Sequence, residues 1–248
     1  MRLAGLFSDY DGTLAPVDVP AASSRIPESV ARPLRALGTK VPVAIVTSKD
    51  HSFIRPRTPF ASAWACVSGL EIVMRDGRDY ADSTPGLPLR QGLDLVRRQA
   101  WTAVRLELKR SIDGRLLGFS IDWRGSRPPR RLGQITAELE ALGLHLVRDP
   151  SWPFVDVFGA VPDKGRAVAR LGRLLAIEGT TLFLGDSLSD NPAFHEADVS
   201  IGVDHGQPME SLDCEFTIRR DEVPGFLASL AKANLSLDVG NLRRRDKD

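Results

Sequence analysis

The chain has 248 residues, 42% of them hydrophobic and 26% charged, which is ordinary for a globular protein and enough for one large core or two modest ones. A formal net charge of +1 gives its overall field no bias toward nucleic acid or an anionic membrane, and neither is expected as a partner. The two cysteines, Cys66 and Cys214, lie far apart with no CxxC or Cys/His cluster, which suggests no zinc ribbon, argues against a disulfide framework and leaves a reducing compartment as the default.

The first apolar run, Ala4–Phe7, reads as a buried strand leading into Asp9-Tyr10-Asp11-Gly12-Thr13. Asp9 breaks it too early for a signal peptide, and no run approaches the roughly 18 apolar residues of a spanning helix, so a soluble cytoplasmic protein is expected. Pro27-Glu28 opens a helix that reaches Leu37 and stops at Gly38, with proline at the start and glycine at the end. Val41–Val46, Trp64–Val67 and Thr181–Leu184 are further apolar runs without strict alternation, the pattern of parallel strands covered on both faces. Lys164–Ala176 is a second helix with Val168, Leu171, Leu174 and Leu175 on one face. Strand and helix alternate, which predicts an α/β core: a doubly wound, Rossmann-like parallel sheet.

The middle of the chain differs. Leu87–Lys109 contains a helix, Leu116–Trp123 alternates with Leu117, Phe119 and Ile121 on one side, Arg130–Leu142 is helical, and Leu144–Arg148 and Phe154–Phe158 alternate again. This predicts an antiparallel sheet with helices on one face, a smaller α+β unit inserted at residues 75–161 into a core made of 1–74 and 162–240. The remainder, 241–248, reads as a charged tail expected to fray.

Residues i and i+2 of a strand point the same way, so Asp9 and Asp11 emerge together at the carboxyl end of the first strand, the edge where open α/β sheets bind ligands. Two carboxylates this close call either for a hard cation or for a shared proton. A calcium-binding EF-hand loop is excluded: counted from Asp9, Gly12 stands at position four and Pro20 at position twelve. Other groups accompany the acids. Thr47-Ser48 ends an apolar strand with hydroxyls that can donate to a phosphate oxygen. Lys164 opens a helix against the dipole, a poor place for stability and a good one for meeting an anion. The buried strand before Gly185 delivers Asp186, and Asp190-Asn191 follow near a helix start, where Asp is also an ordinary cap. The four histidines are scattered, and no chemistry is assigned to them.

This ordered set, Asp9-Tyr10-Asp11-Gly12-Thr13, Thr47, Lys164 and Gly185-Asp186 with Asp190, resembles the haloacid dehalogenase-like (HAD) phosphatase superfamily, and the insert resembles its larger, sheet-containing cap. The resemblance implies a phosphatase in which Asp9 is the nucleophile and Asp11 the general acid and base. It implies that Thr47, Ser48, Lys164 and the Gly12 turn hold the phosphoryl group. It further implies that Mg²⁺ is held by Asp9, the Asp11 carbonyl and Asp186, with Asp190 at the same centre. The segments "DYDGTLAP", "VSGLEIVMRDG", "LELKRSIDGRLLGFSIDWRG" and "FVDVFGAVPDKGRAV" are similar to trehalose-6-phosphate phosphatases. By position, Glu71, Lys109, Arg124, Asp156 and Asn191 are then candidates for touching a small-molecule sugar phosphate, in a monomer or small homo-oligomer. Thr-Ser-Lys-Asp at 47–50 and Gly-Asp-Ser-Leu-Ser-Asp-Asn at 185–191 are closer to mannosyl-3-phosphoglycerate phosphatases and broad-specificity sugar phosphatases. Phosphoryl transfer by a mutase, and a non-catalytic sugar-phosphate binder, are the alternatives from other classes.

Overall fold

β1 (Leu3–Ser8) lies inside a sheet and is covered on both faces, because its side chains alternate between two cores: Leu6 packs with one apolar cluster and Phe7 with the other. The same division runs through the strands that follow. The computed structural model describes residues 1–17, 19, 23–81, 86–148, 152–206, 209, 211–240 and 242–245. In chain order these form β1, α1 (Glu28–Gly38), β2 (Val43–Val46), α2 (His51–Ile54), β3 (Ala63–Cys66), β4 (Glu71–Met74), β5 (Asp79–Ala81), α3 (Gly86–Arg97), β6 (Arg105–Arg110), β7 (Leu116–Asp122) and α4 (Leu132–Ala141). They continue with β8 (His145–Arg148), β9 (Phe154–Phe158), α5 (Lys164–Leu174), β10 (Thr180–Gly185), α6 (Asn191–Glu196), β11 (Val199–Asp204), β12 (Phe216–Arg219), α7 (Val223–Lys232) and β13 (Arg243–Arg244).

The larger sheet has the order β13-β12-β11-β10-β1-β2-β3-β4-β5, parallel from β12 to β3 and antiparallel at both edges. The strand order reverses beside β1, between β10 and β2, and the carboxyl ends of the strands at that point form the crevice where ligands sit in such sheets. Leu34 and Leu37 of α1 and Leu227 and Leu230 of α7 cover one face, while Val168 and Leu171 of α5 and Phe194 of α6 cover the other. The expected doubly wound α/β core is therefore the observed one.

A second sheet, antiparallel with order β6-β7-β9-β8, carries α3 and α4 on one side, where Phe119, Ile121, Val155 and Val157 meet Leu89, Leu93, Ile135 and Leu139. We call this unit the cap. Its elements begin at α3 and not at residue 75, because residues 71–81 form the β4–β5 hairpin of the larger sheet, turned at Gly77 with φ +92°. β6 is the strand that the helical reading of Leu87–Lys109 obscured. Part of the tail is ordered as well: Arg243 and Arg244 pair with Thr217 and Phe216, although fraying was expected, and residues 246–248 lie outside the described set. Among the described residues no helix is long and apolar enough to cross a membrane.

Candidate active site

β1 ends at Ser8, and the next residue, Asp9, is buried at the crevice beside the end of β10. Its Oδ1 accepts from the Lys164 ammonium at 2.9 Å. Lys164 is the first residue of α5, whose N-cap, Asp163, accepts from Arg166 N, and the lysine side chain runs inward from there, 3% exposed. The same ammonium donates to Asp190 Oδ1 at 2.6 Å. Asp190 closes a tight turn after β10: its Oδ2 accepts the backbone amides of Asp186 and Ser187 at 3.1 and 3.0 Å and the Ser187 hydroxyl at 3.1 Å. Asp186 is fixed from both sides. Its Oδ1 accepts from the Thr13 hydroxyl at 2.8 Å, and its Oδ2 lies 3.0 Å from His205 Nε2.

Asp9, Asp186 and Asp190 each offer an oxygen within 4.8 Å of the others, all buried. Burial, reinforced by the charges of Asp190 and Asp186 and opposed by Lys164, pushes the Asp9 carboxyl well above the usual carboxylate range. Burial also raises Asp186, against the hydrogen bonds from His205 and Thr13. Burial opposes the charge on Lys164, but Asp190 and Asp9 outweigh it and hold the ammonium more firmly protonated than usual. One ammonium among three buried carboxyls leaves the cluster short of positive charge, which raises the proton affinity of Asp9 and Asp186 and favours a cation. An all-oxygen donor set with surplus charge fits a hard divalent cation. Asp190 accepts four hydrogen bonds across its two oxygens and thereby orients the lysine and the loop, while Asp186 has one partner at each oxygen.

Above these groups a cavity of about 980 Å³ separates the core from the cap. Asp9, Asp11, Ser48, Lys49, Lys164 and Asp186 contribute its floor. Asp11 accepts from the Ser24 hydroxyl at 3.3 Å and stands 3.9 Å from Lys49 Nζ. Burial opposes the charge on Lys49 too, but Asp11, Glu107 and Asp156 outweigh it and keep this ammonium protonated. From the cap, Lys109 donates to the Ser48 carbonyl at 2.9 Å and lies 3.4 Å from Asp156, which also accepts from Ser120. Arg124 pairs with Asp122 at 3.2 Å and stands over the Phe154 ring. Lys109, Arg124 and Asp156 therefore line the cavity.

Other expectations need correcting. Glu71 does not line the cavity: it is buried at the start of β4 and accepts from Ile112 N, in the β6–β7 turn of the cap, at 2.7 Å. Asn191 is also away from it, bridging to Ser211 O and Asp213 N. Thr47 is buried just beneath, its hydroxyl oxygen accepting from Lys49 N at 3.2 Å, and of the pair it is Ser48 that lines the cavity. The Gly12 amide does not face the cavity but donates to Ala15 O at 2.8 Å. What the turn requires of Gly12 is its φ of +84° and room, since a Cβ there would stand 2.0 Å from Asp186 Oδ2. Three residues went unassigned in the sequence: Thr13, Lys49 and His205. His205 carried a usable signal, because it follows β11 at the same carboxyl edge of the sheet as Asp9 and Asp186.

No family model matches the chain. It is 25% identical over 259 aligned positions to an uncharacterized glycosyl hydrolase of Mycobacterium tuberculosis, covering 93% of this chain and 18% of that protein. It is 27% identical over 217 positions to the trehalose-phosphate phosphatase of Mycolicibacterium paratuberculosis, covering 78% of this chain and 51% of that protein. The chain thus spans less than a fifth of the first relative and about half of the second. Among solved structures it resembles the C-terminal domain of trehalose-6-phosphate phosphatase from C. albicans, with a TM-score of 0.76, 15% identity and 93% of each chain covered. It also resembles a HAD superfamily phosphatase from Bacteroides thetaiotaomicron, with a TM-score of 0.69, 15% identity, and 95% of this chain and 96% of that one covered. The fold is the one shared by these solved HAD superfamily phosphatases.

Proposed function

We propose that this chain is a HAD-type phosphatase that hydrolyses a sugar phosphate through an aspartyl-phosphate on Asp9, with trehalose 6-phosphate as the leading substrate. One observation carries the reading: a buried carboxylate at the tip of the central strand, bonded to a buried lysine and grouped with two more acids, opens onto a capped cavity that holds a second carboxylate, Asp11. The names of the trehalose-phosphate phosphatase relatives support the substrate.

A carboxylate meeting a phosphate dianion needs positive charge beside it. Lys164 supplies one part, held by Asp190 in contact with Asp9. Mg²⁺, held by Asp9 and Asp186 with the Asp11 carbonyl, would supply the rest by neutralising charge on the nucleophile and on the phosphoryl oxygens. An Asp9 oxygen forms a bond to phosphorus as the ester bond breaks, and Asp11 gives its proton to the departing sugar oxygen. Asp11 then takes a proton from water, the water oxygen bonds to phosphorus, and Asp9 leaves. Thr13 and Asp190 keep the acids and lysine in register, while Lys49, Lys109, Arg124 and Asp156 present charge to the sugar and exclude bulk water.

Phosphate release measured across trehalose 6-phosphate, mannosyl-3-phosphoglycerate, sucrose 6-phosphate and phosphoglycolate tests substrate and mechanism together. The expected result is highest kcat/KM on trehalose 6-phosphate, abolished by EDTA and reduced about 10³-fold or more in Asp9→Asn. Undiminished release by that variant rejects the covalent route, and preference for another ester rejects the substrate.

A further inference from the structure

Asp186 is gripped by two side chains from different loops. Thr13 belongs to the turn after β1, and His205 follows β11. The His205 side chain is only 7% exposed and has its Nε2 3.0 Å from Asp186 Oδ2, so the ring donates to the carboxylate and fixes the angle of the group. Another neighbour of the ring comes from the cap. The ring of Trp152, in the β8–β9 connection, has its centroid 6.4 Å from that of His205, inclined at 42°, and a second contact joins Trp152 to Phe154 at 6.0 Å. Trp152 and Phe154 both line the cavity. One imidazole therefore touches a core carboxylate and an aromatic side chain of the cap.

We propose that His205 is a positioning residue that sets Asp186 for a divalent cation and couples that carboxylate to the cap through Trp152. This rests on the reading of the site as a cation-dependent phosphatase. A carboxylate held at both oxygens has little freedom to swing, so cation uptake has to be accommodated by its two holders, of which His205 also touches the cap. Outer hydrogen-bond partners of metal ligands typically contribute 10–100-fold to affinity.

The test uses the full chain freed of metal and titrated with Mg²⁺ by calorimetry, with Trp152 emission taken as the difference from Trp152→Phe. The parent is expected to bind Mg²⁺ with a change in Trp152 emission. His205→Ala should bind about 10–100-fold more weakly and show no emission change even at saturation. His205→Gln, which keeps an N–H donor, should recover part of the affinity and shows whether loss reflects the missing bond or a misfolded loop. Unchanged affinity in His205→Ala, or a full emission change at saturating Mg²⁺, overturns the proposal while leaving the phosphatase reading intact. A parent that takes up no Mg²⁺ at all overturns both.

Discussion

Glu71 accepts the Ile112 amide on one oxygen, while the other, Oε2, is buried without a partner among the described residues. Burial is the main reason its carboxyl is pushed up to about 7; Asp79 and Asp113 add to this, and the Ile112 hydrogen bond and Arg115 oppose it. In the unfolded chain Glu71 loses its proton near 4.5, whereas the folded protein keeps it to about 7. Its contribution to stability is thus fully present below pH 4.5, declines as pH rises toward 7 and is constant above, a change of roughly 3 kcal/mol at most. Glu71→Gln should remove that slope and leave the variant more stable than the parent at pH 8, relative to pH 4.5, in urea unfolding. Parallel pH profiles for the two proteins would contradict the assignment. The sequence suggested a sugar contact for Glu71, since nothing local reveals that a turn some forty residues on folds over it.

The β3–β4 connection stores strain for a purpose visible in its hydrogen bonds. Val67, Ser68 and Gly69 are consecutively left-handed, with φ of 51°, 54° and 92°, a conformation that a β-branched residue adopts only under constraint. The constraint is threefold: Val67 N donates to Lys49 O, Ser68 N to Thr47 O, and Asp163 N to Ser68 O. The element thereby ties the loop after β2 to the start of α5, and so sets Ser48 and Lys49 relative to Lys164. A Cβ on Gly69 would stand 2.6 Å from Asp163 O, whereas one on Gly77, with the same φ of +92°, would meet nothing within 4 Å. Gly69→Ala is expected to cost about 2–4 kcal/mol and most of the activity, and Gly77→Ala only about 1–2 kcal/mol, as read from thermal unfolding and turnover. Equal losses would mean that the close approach to Asp163 has no structural consequence. Periodicity placed the strand before this connection but is blind to the connection itself, because left-handed backbone at Val67 and Ser68 opposes their local preference and is imposed by the partners.

β6 and the turn that follows it form one of the places where core and cap meet. Lys109 donates to Ser48 O, Glu107 lies 3.3 Å from Lys49, and Ile112 donates to Glu71. All three link β6 or its turn to the loop that carries Ser48 and Lys49 or to β4. A charge-assisted bond such as that from Lys109 is worth roughly 1.5–3 kcal/mol, enough to shift an opening equilibrium by about tenfold or more. Lys109→Met retains the stem and removes the bond. It should raise the radius of gyration in small-angle scattering and raise KM proportionately more than it lowers kcat. An unchanged scattering profile would show that closure does not depend on this contact.

The amino-acid sequence by itself determined the doubly wound core and the inserted sheet. Two-sided apolar runs such as Val43–Val46 can only be buried between layers, and the alternation of Leu117, Phe119 and Ile121 requires a single covered face. It also marked Asp9, Asp11, Lys164 and Asp186, because each stands where a strand ends or a helix begins. Only the tertiary structure decided which of the remaining polar residues join them. Thr13 and His205 grip Asp186, Lys49 faces Glu107, and Asn191 turns away to Asp213, each across a wide gap in the chain. Such partners are chosen by the directions of side chains on separate elements. Packing sets those directions, and no local pattern records them.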